Sequence, residues 1–305
     1  MNKKIPVSIF FLLILSFVYA QDSGIHATMD TEEALYFNAL YPEKVRILSS
    51  NEKESAVILL EGADEIIRES VQTHGSGFIF RPSEEQALQY IELQARPFTE
   101  LEYTITEDEL VNYCLDLVDV SKIEETIFTL EGYGTRYHTK PQAEQAVLDL
   151  QAKWDAMIAL SGRTDISTRI YNHVNTPMPS LIVTFTGADS PEEFVIVGGH
   201  IDSTSWDRDD APGADDNASG IASLDEMFRV LLEVEFVPNR TVEIMAFAAE
   251  EIGLVGSAEI ASNYANNGVD VLAYVQFDMT GYKGSSKDIY ISEDWYVNQD
   301  VNTYL

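Results

Sequence analysis

Three short apolar runs, at 194–197, 242–249 and 271–277, form the most informative pattern in the chain. They are rich in Val, Ile, Ala and Phe, and they lack the strict alternation of a strand with one wet face. Such runs fit strands buried on both faces beneath covering helices. Each ends in polar residues: His200 after the first, Glu250 and Glu251 after the second, Asp278 after the third. Open α/β sheets bind ligands beyond the carboxyl ends of parallel strands, so these three ends are expected to share one crevice.

Helical periodicity occupies the intervals. Ala143, Val147, Leu150, Trp154 and Met157 are spaced four, three, four and three apart, which gives one apolar helix face. Pro141 suits the first turn of that helix. Ile221, Leu224, Phe228, Leu231 and Leu232 mark a second helix, with Pro238 past its end and Thr241 opening the central strand. Ser257 is expected to cap a third helix that runs to about Asn266 and stops at Gly268. The turn-rich GADSPEE between 181–186 and 194–197 suggests a hairpin. Alternating strands and helices predict an α/β fold with a predominantly parallel mixed sheet and helices on both faces.

The chain ahead of this pattern reads differently. Residues 1–20 carry Lys3 and Lys4, an apolar stretch at 5–18 and then Val18-Tyr19-Ala20, the layout of a signal peptide. The apolar run falls short of the ~20 residues that a membrane span needs, so a secreted protein, extracellular or periplasmic, is expected. Residues 21–107 are acidic and mixed, with apolar pieces at 56–60 and 77–80 and no catalytic cluster; they read as a small α+β propeptide or accessory region. A junction around 98–108 leads into a catalytic domain spanning 108–305.

Composition narrows the partners. An apolar share of 45% is ample for a core, and 51 acidic against 19 basic residues give a net charge of −32. That charge disfavours nucleic acid and anionic membrane surfaces. Cys114 is the one cysteine, which excludes an intrachain disulfide and cysteine-rich zinc sites; it reads as a buried thiol. His26, His74, His138 and His173 lie away from the strand ends and read as ordinary core or surface histidines.

Four groups remain as candidate chemistry. His200 at a strand tip has Asp202 two residues on, and a ligating imidazole commonly donates its second N–H to a carboxylate. The loop GADDNASG at 213–220 admits two readings, an Asp/Asn turn or helix cap, or a carboxylate bridging two cations. Glu250 and Glu251 repel one another in apolar surroundings unless cations compensate. Both reach one site only where the strand gives way to a turn, and Gly253 supplies one; one carboxylate can then ligate while the other moves a proton. Asp278 completes a mixed nitrogen and oxygen set suited to Zn²⁺.

The blocks VIVGGHIDST, APGADDNASGIAS, AFAAEEIGLVGS and QFDMTGYKGS, in this order and spacing, resemble the secreted bacterial leucyl aminopeptidases of the Vibrio type. The resemblance runs from about Glu109 to the end, two thirds of the chain. It implies a zinc-peptidase-like three-layer sandwich holding two zinc ions. His200, Asp216 and Asp278 would surround one, with Asp216 bridging to a second held by Glu251. It further implies Glu250 as general acid/base, Asp202 supporting His200, a cis peptide bond at Asp216–Asn217, and a removable propeptide at 21–107. The expected substrate is a peptide or protein N-terminus with a hydrophobic, leucine-like first residue, and the expected state is a monomer. Met279, next to Asp278, either lines the pocket for that residue or simply packs. The family's second zinc also takes a downstream His; none follows His200 here, which reads as C-terminal truncation. Two other readings are a single-zinc glutaminyl cyclase of the same fold and a catalytically inactive protease-like binding domain.

Overall fold

The computed structural model describes residues 24–70, 77–92 and 106–281. The signal-peptide reading of 1–20, His74 and the chain past Gly281 therefore lie outside the described residues. Two sheets occupy separate stretches of chain.

The first sheet has four strands in the order β2-β3-β1-β4, built from β1 (Ile25–Asp30), β2 (Val45–Ser50), β3 (Glu54–Leu59) and β4 (Ile79–Phe80). All its pairs are antiparallel. Helices α1 (Thr31–Leu40) and α2 (Ala63–Ser70) bury Phe37 and Ile67 against Met29, Val57 and Leu59 on one face. Helix α3 (Glu84–Glu92) packs Ala87 and Ile91 on Ala56 on the other. The Asp30 carboxylate starts α1 by accepting the N–H groups of Glu32 and Glu33.

Helices α4 (Asp108–Asp116) and α5 (Val120–Glu131) lead into α6 (Pro141–Ser161). Pro141 sits in the first turn of α6, where its missing N–H costs nothing, and Gly162 ends it in a left-handed conformation. Cys114 is half-buried, not buried as expected, because α4 sinks no residue into the core.

The second sheet orders its five strands β5-β6-β8-β7-β9, from β5 (Ile166–Tyr171), β6 (Ser180–Phe185), β7 (Ser190–His200), β8 (Arg240–Phe247) and β9 (Asp270–Gln276). Helix α7 (Gly220–Glu233) joins β7 to β8, and α8 (Val255–Asn267) joins β8 to β9. The expected predominantly parallel sheet is corrected here. β7 runs parallel to β8 and β9, but β5–β6 and β6–β8 are antiparallel. Connection length explains the split: the short segment between β5 and β6 can join only antiparallel neighbours, whereas helical crossovers make parallel ones.

The hairpin expected across GADSPEE is corrected as well. β8 lies between β6 and β7, and the link passes over the head of β8. There Ala188 N–H donates to Pro238 O at 2.9 Å and Asp189 N–H to Asn239 O at 3.0 Å. The apolar β8, buried from Glu243 to Phe247, takes the centre of the sheet. Leu181, Val183, Phe185, Ile244 and Ala246 face α6 and α7, while Ile182, Ile196, Met245 and Phe247 face Ile260 and Tyr264 of α8. Helices thus cover both faces. Ser257 does not cap α8; the helix starts after Leu254, which adopts a left-handed conformation, while Gly268 ends it as expected.

Candidate metal centre

The parallel trio β8-β7-β9 points its carboxyl ends the same way, and the candidate side chains gather there. His200 closes β7 and is buried, with its ring 2% exposed. Its Nδ1 lies 3.2 Å from the main-chain oxygen of Asp202 and 3.5 Å from the Asp202 carboxylate. That arrangement protonates Nδ1 and frees Nε2 to face the crevice. Nε2 stands 3.0 Å from Asp216, 3.5 Å from Asp278 and 3.9 Å from Glu250.

His200, Asp216 and Asp278 each offer one ligand atom, and these atoms lie within 4.8 Å of one another. Asp216 comes from the irregular turn Ala214–Ser219, where Asp216 and Asn217 leave helical geometry and their peptide bond is cis. Asp278 follows β9. Glu250 and Glu251 occupy the turn after β8, and Asp202 receives both of their main-chain N–H groups, at 3.0 and 3.2 Å. Glu251 is outside the three-atom group but feels the charge of Asp216 more than that of any other neighbour.

Electrostatics describe a site short of positive charge. Burial, with Asp202, Asp278 and Asp216 nearby and His200 opposing, pushes the Glu250 carboxyl up to about 7. Burial and the neighbouring Asp216 and Asp202 push Glu251 up to about 9. Burial alone lowers the His200 pKa, yet its bonds to Asp202, Asp216 and Asp278 outweigh this and raise it well above the ordinary value. A proton on His200 thus sits where a cation would satisfy the same carboxylates. One imidazole nitrogen and two carboxylate oxygens form a donor set that fits zinc. Glu251 is not part of this three-atom group, and among the described residues no second imidazole joins it. His173 is buried between Glu259 and Ser180, His138 contacts Thr176, and His26 is in β1.

Backbone geometry around the centre is unusual. Ala249, Leu254 and Met279 all have positive φ, a conformation costing roughly 1–2 kcal/mol for a residue with a Cβ. Such outliers persist where surrounding structure over-determines them, and here two bracket the Glu250–Glu251 turn and one adjoins Asp278.

Two contributors escaped the sequence reading. The buried Asn217 amide donates to Phe277 O at 2.9 Å and accepts Met279 N–H at 3.2 Å, framing Asp278 on both sides. Arg136 is fully buried beside the loop that links His200 to Asp216. Burial lowers its pKa to about 10 against the opposing charges of Asp202, Asp216 and Glu251. No motif marks Arg136 in the sequence.

The four-stranded sheet touches the glutamate turn. Phe80 N–H donates to Gly253 O at 2.7 Å, and Arg208 on the 201–213 loop reaches Glu65 at 2.9 Å. A cavity of about 260 Å³ lies between the two sheets' units, lined by Ile25, Asp64, Phe80, Tyr137, Ile252 and Val255 among others. None of the six candidate residues lines it.

Several known proteins resemble this chain. A probable aminopeptidase of Saccharomyces cerevisiae is 31% identical over 199 residues, covering 61% of this chain and 52% of the relative. Leucine aminopeptidase 1 of Arthroderma gypseum is 29% identical over 221 residues, covering 69% of this chain and 58% of the relative. The chain spans about half the length of the curated relatives it matches. The crystal structure of LapB from Legionella pneumophila superposes with a TM-score of 0.76 at 21% identity, covering 92% of this chain and 77% of that one. The Legionella pneumophila LapA aminopeptidase gives 0.71 at 26% identity, covering 86% and 71%. Residues 180–304, the stretch that holds every candidate ligand together with both glutamates, match the model of Peptidase family M28.

Proposed function

We propose that this chain is a zinc-dependent aminopeptidase that removes the first residue from peptides or proteins. The observation that carries the reading is the convergence of His200, Asp216 and Asp278 on one point, with Glu250 3.9 Å from the His200 nitrogen. The similarity of 180–304 to M28 peptidases and the relatives' names support it.

His200, Asp216 and Asp278 would hold one zinc ion, and Glu251 with Asp216 would contribute to a second. Zinc, when bound, supplies Lewis acidity toward the scissile carbonyl and the attacking water. Glu250 stands outside the three-ligand group, largely buried beside it and 3.9 Å from His200 Nε2. It takes the proton of the attacking water and delivers it to the leaving amine. Asp202 holds the His200 ring and the Glu250–Glu251 main chain together, so acid/base and ligand groups move as one unit. The acidic rim would receive a free α-amino group, which confines cleavage to the N-terminus, and a hydrophobic, leucine-like first residue is the proposed preference.

Residues 1–20 are proposed as an export signal and 21–107 as a removable accessory region resting on the glutamate turn through Phe80. The protein would act outside the cytoplasm as a monomer. Among the described residues no helix is long and apolar enough to cross a membrane.

The test is release of free leucine from leucine p-nitroanilide and from a Leu-initiated peptide by the zinc-loaded chain. Expected results are abolition by a chelator, restoration by zinc, and no cleavage of the N-acetylated peptide. A pyroglutamyl product from a Gln-initiated peptide, with no free amino acid, would replace this reading by a cyclase.

A further inference from the structure

The Arg136 guanidinium donates to four carbonyl oxygens: Nε to Ile201 at 2.8 Å, Nη1 to Leu130 at 2.9 Å and Pro212 at 2.6 Å, and Nη2 to Gly213 at 3.0 Å. Ile201 directly follows His200, and Gly213 opens the turn that presents Asp216. One planar cation therefore grips both ends of the loop between two candidate ligands. The main chain adds to the grip: Arg136 N–H donates to Ser203 Oγ at 3.0 Å, Ser203 N–H donates to Arg136 O at 3.3 Å, and the Ser203 hydroxyl donates to Ala211 O at 2.6 Å.

Burying a guanidinium is expensive, and its described side-chain partners are carbonyl dipoles rather than a contacting carboxylate. A fork of donors at fixed angles can read several carbonyls at once; an ammonium on a flexible stem cannot hold them in the same relation. Gly213 has a positive φ, and a Cβ there would lie 3.0 Å from Arg136 Nη2 and 2.5 Å from the Ser203 side chain. The loop backbone is thus packed directly onto the cation. The loop itself is exposed over much of 204–210; Ala211 N–H donating to Gly134 O at 2.8 Å and Thr135 Oγ1 donating to Arg208 O at 2.9 Å tie it down beside the clamp.

We propose that Arg136 is a positioning residue of the metal centre, fixing the separation of His200 and Asp216 before a cation arrives. The inference rests on the metal-centre reading above. Without the clamp, part of the cation's binding free energy goes into ordering the loop, and affinity falls.

The test measures zinc affinity by competition with a chromophoric chelator on the full chain. The melting midpoint of each zinc-free protein is recorded alongside. Arg136→Lys, which keeps the charge and loses the fork, should fold and bind zinc roughly 10–100-fold more weakly, the usual effect of losing a group that orients a ligand. Ser203→Ala, which removes the hydroxyl that accepts Arg136 N–H and donates to Ala211 O but keeps the guanidinium fork, should weaken binding in the same direction by less. A residue serving stability alone would lower the zinc-free melting midpoint and leave the affinity of folded molecules unchanged. Wild-type affinity in Arg136→Lys therefore overturns the proposal. If that variant fails to fold, wild-type affinity in Ser203→Ala overturns it instead. A wild-type chain that binds no zinc overturns the centre and this role together, whereas tight wild-type binding with an unaffected variant overturns the role alone.

Discussion

The Asp202 carboxylate accepts the main-chain N–H of Glu250 at 3.0 Å across a gap of 48 positions in sequence. The same carboxylate accepts Glu251 N–H and lies beside the His200 ring. A support for one imidazole is therefore also the anchor of the turn bearing both glutamates. Asp202→Ala should lower zinc affinity roughly 10–100-fold, and kcat should fall at saturating zinc because Glu250 shifts with its backbone. Steady-state kinetics at two zinc concentrations read the two losses separately; full kcat at saturating zinc would confine Asp202 to the histidine.

Glu250 is outside the three-ligand group yet faces the same point. Glu250→Gln should reduce kcat by about 10²–10⁴-fold while zinc content stays at the wild-type level. Metal analysis together with single-turnover hydrolysis checks this. Unchanged turnover would remove Glu250 from proton transfer.

His173 gives the fold a definite pH dependence. Its ring is buried, which lowers its pKa against the opposing pull of Glu259. Burial raises the Glu259 pKa, but the Val174 and Asn175 donors and His173 outweigh it and hold the carboxyl below its ordinary value. For both groups the unfolded chain binds protons more readily than the folded one, so stability falls on acidification. The His173 contribution is complete above about pH 6.5 and is lost below that, through its lowered folded pKa; the Glu259 contribution is lost from about pH 4.5 downward. His200 in the zinc-free protein runs the opposite way, since its raised pKa favours the folded state until pH climbs through it. The readout is accordingly the difference in urea midpoint between wild type and His173→Gln, which should narrow as pH falls from 7 to 5. A difference independent of pH would mean that the ring does not titrate differently on folding.

Buried Asp225 holds the α5–α6–α7 corner. It accepts Trp154 Nε1 at 2.9 Å, the Thr126 hydroxyl at 2.7 Å and Lys153 at 2.6 Å. Trp154→Phe keeps an aromatic ring against Phe228 but removes one donor from a buried carboxylate, a loss of about 1–3 kcal/mol. Equilibrium urea unfolding measures it, and leucine p-nitroanilide turnover should be unaffected because Trp154 lies on the helical layer away from the strand ends.

Much of the architecture was legible because burial leaves a clear trace. Val242 to Ala249 reads as an interior strand, and that strand is central; the stripe from Ala143 to Trp154 reads as a helix face, and those residues are buried. The clustering of His200, Asp216, Glu250 and Asp278 could be anticipated because each follows an apolar run or a small-residue turn. Strand order was not legible, since the four residues linking β6 and β7 look the same whether the strands pair or another enters between them. Arg136 was invisible for a related reason: its partners are main-chain carbonyls, which no side-chain pattern reports. Ser257 misled because Leu254, not a hydroxyl, makes the entry into α8 by its backbone conformation.

The place of β8 constrains assembly. Strands β6 and β7 follow one another in sequence, yet in the folded sheet Arg240–Phe247 fills the slot between them. Contacts of such long sequence separation form slowly. A growing chain that has already made His200 and Asp216 still lacks the scaffold that brings them opposite Glu250, and the crevice exists only after the middle of the sheet has been inserted.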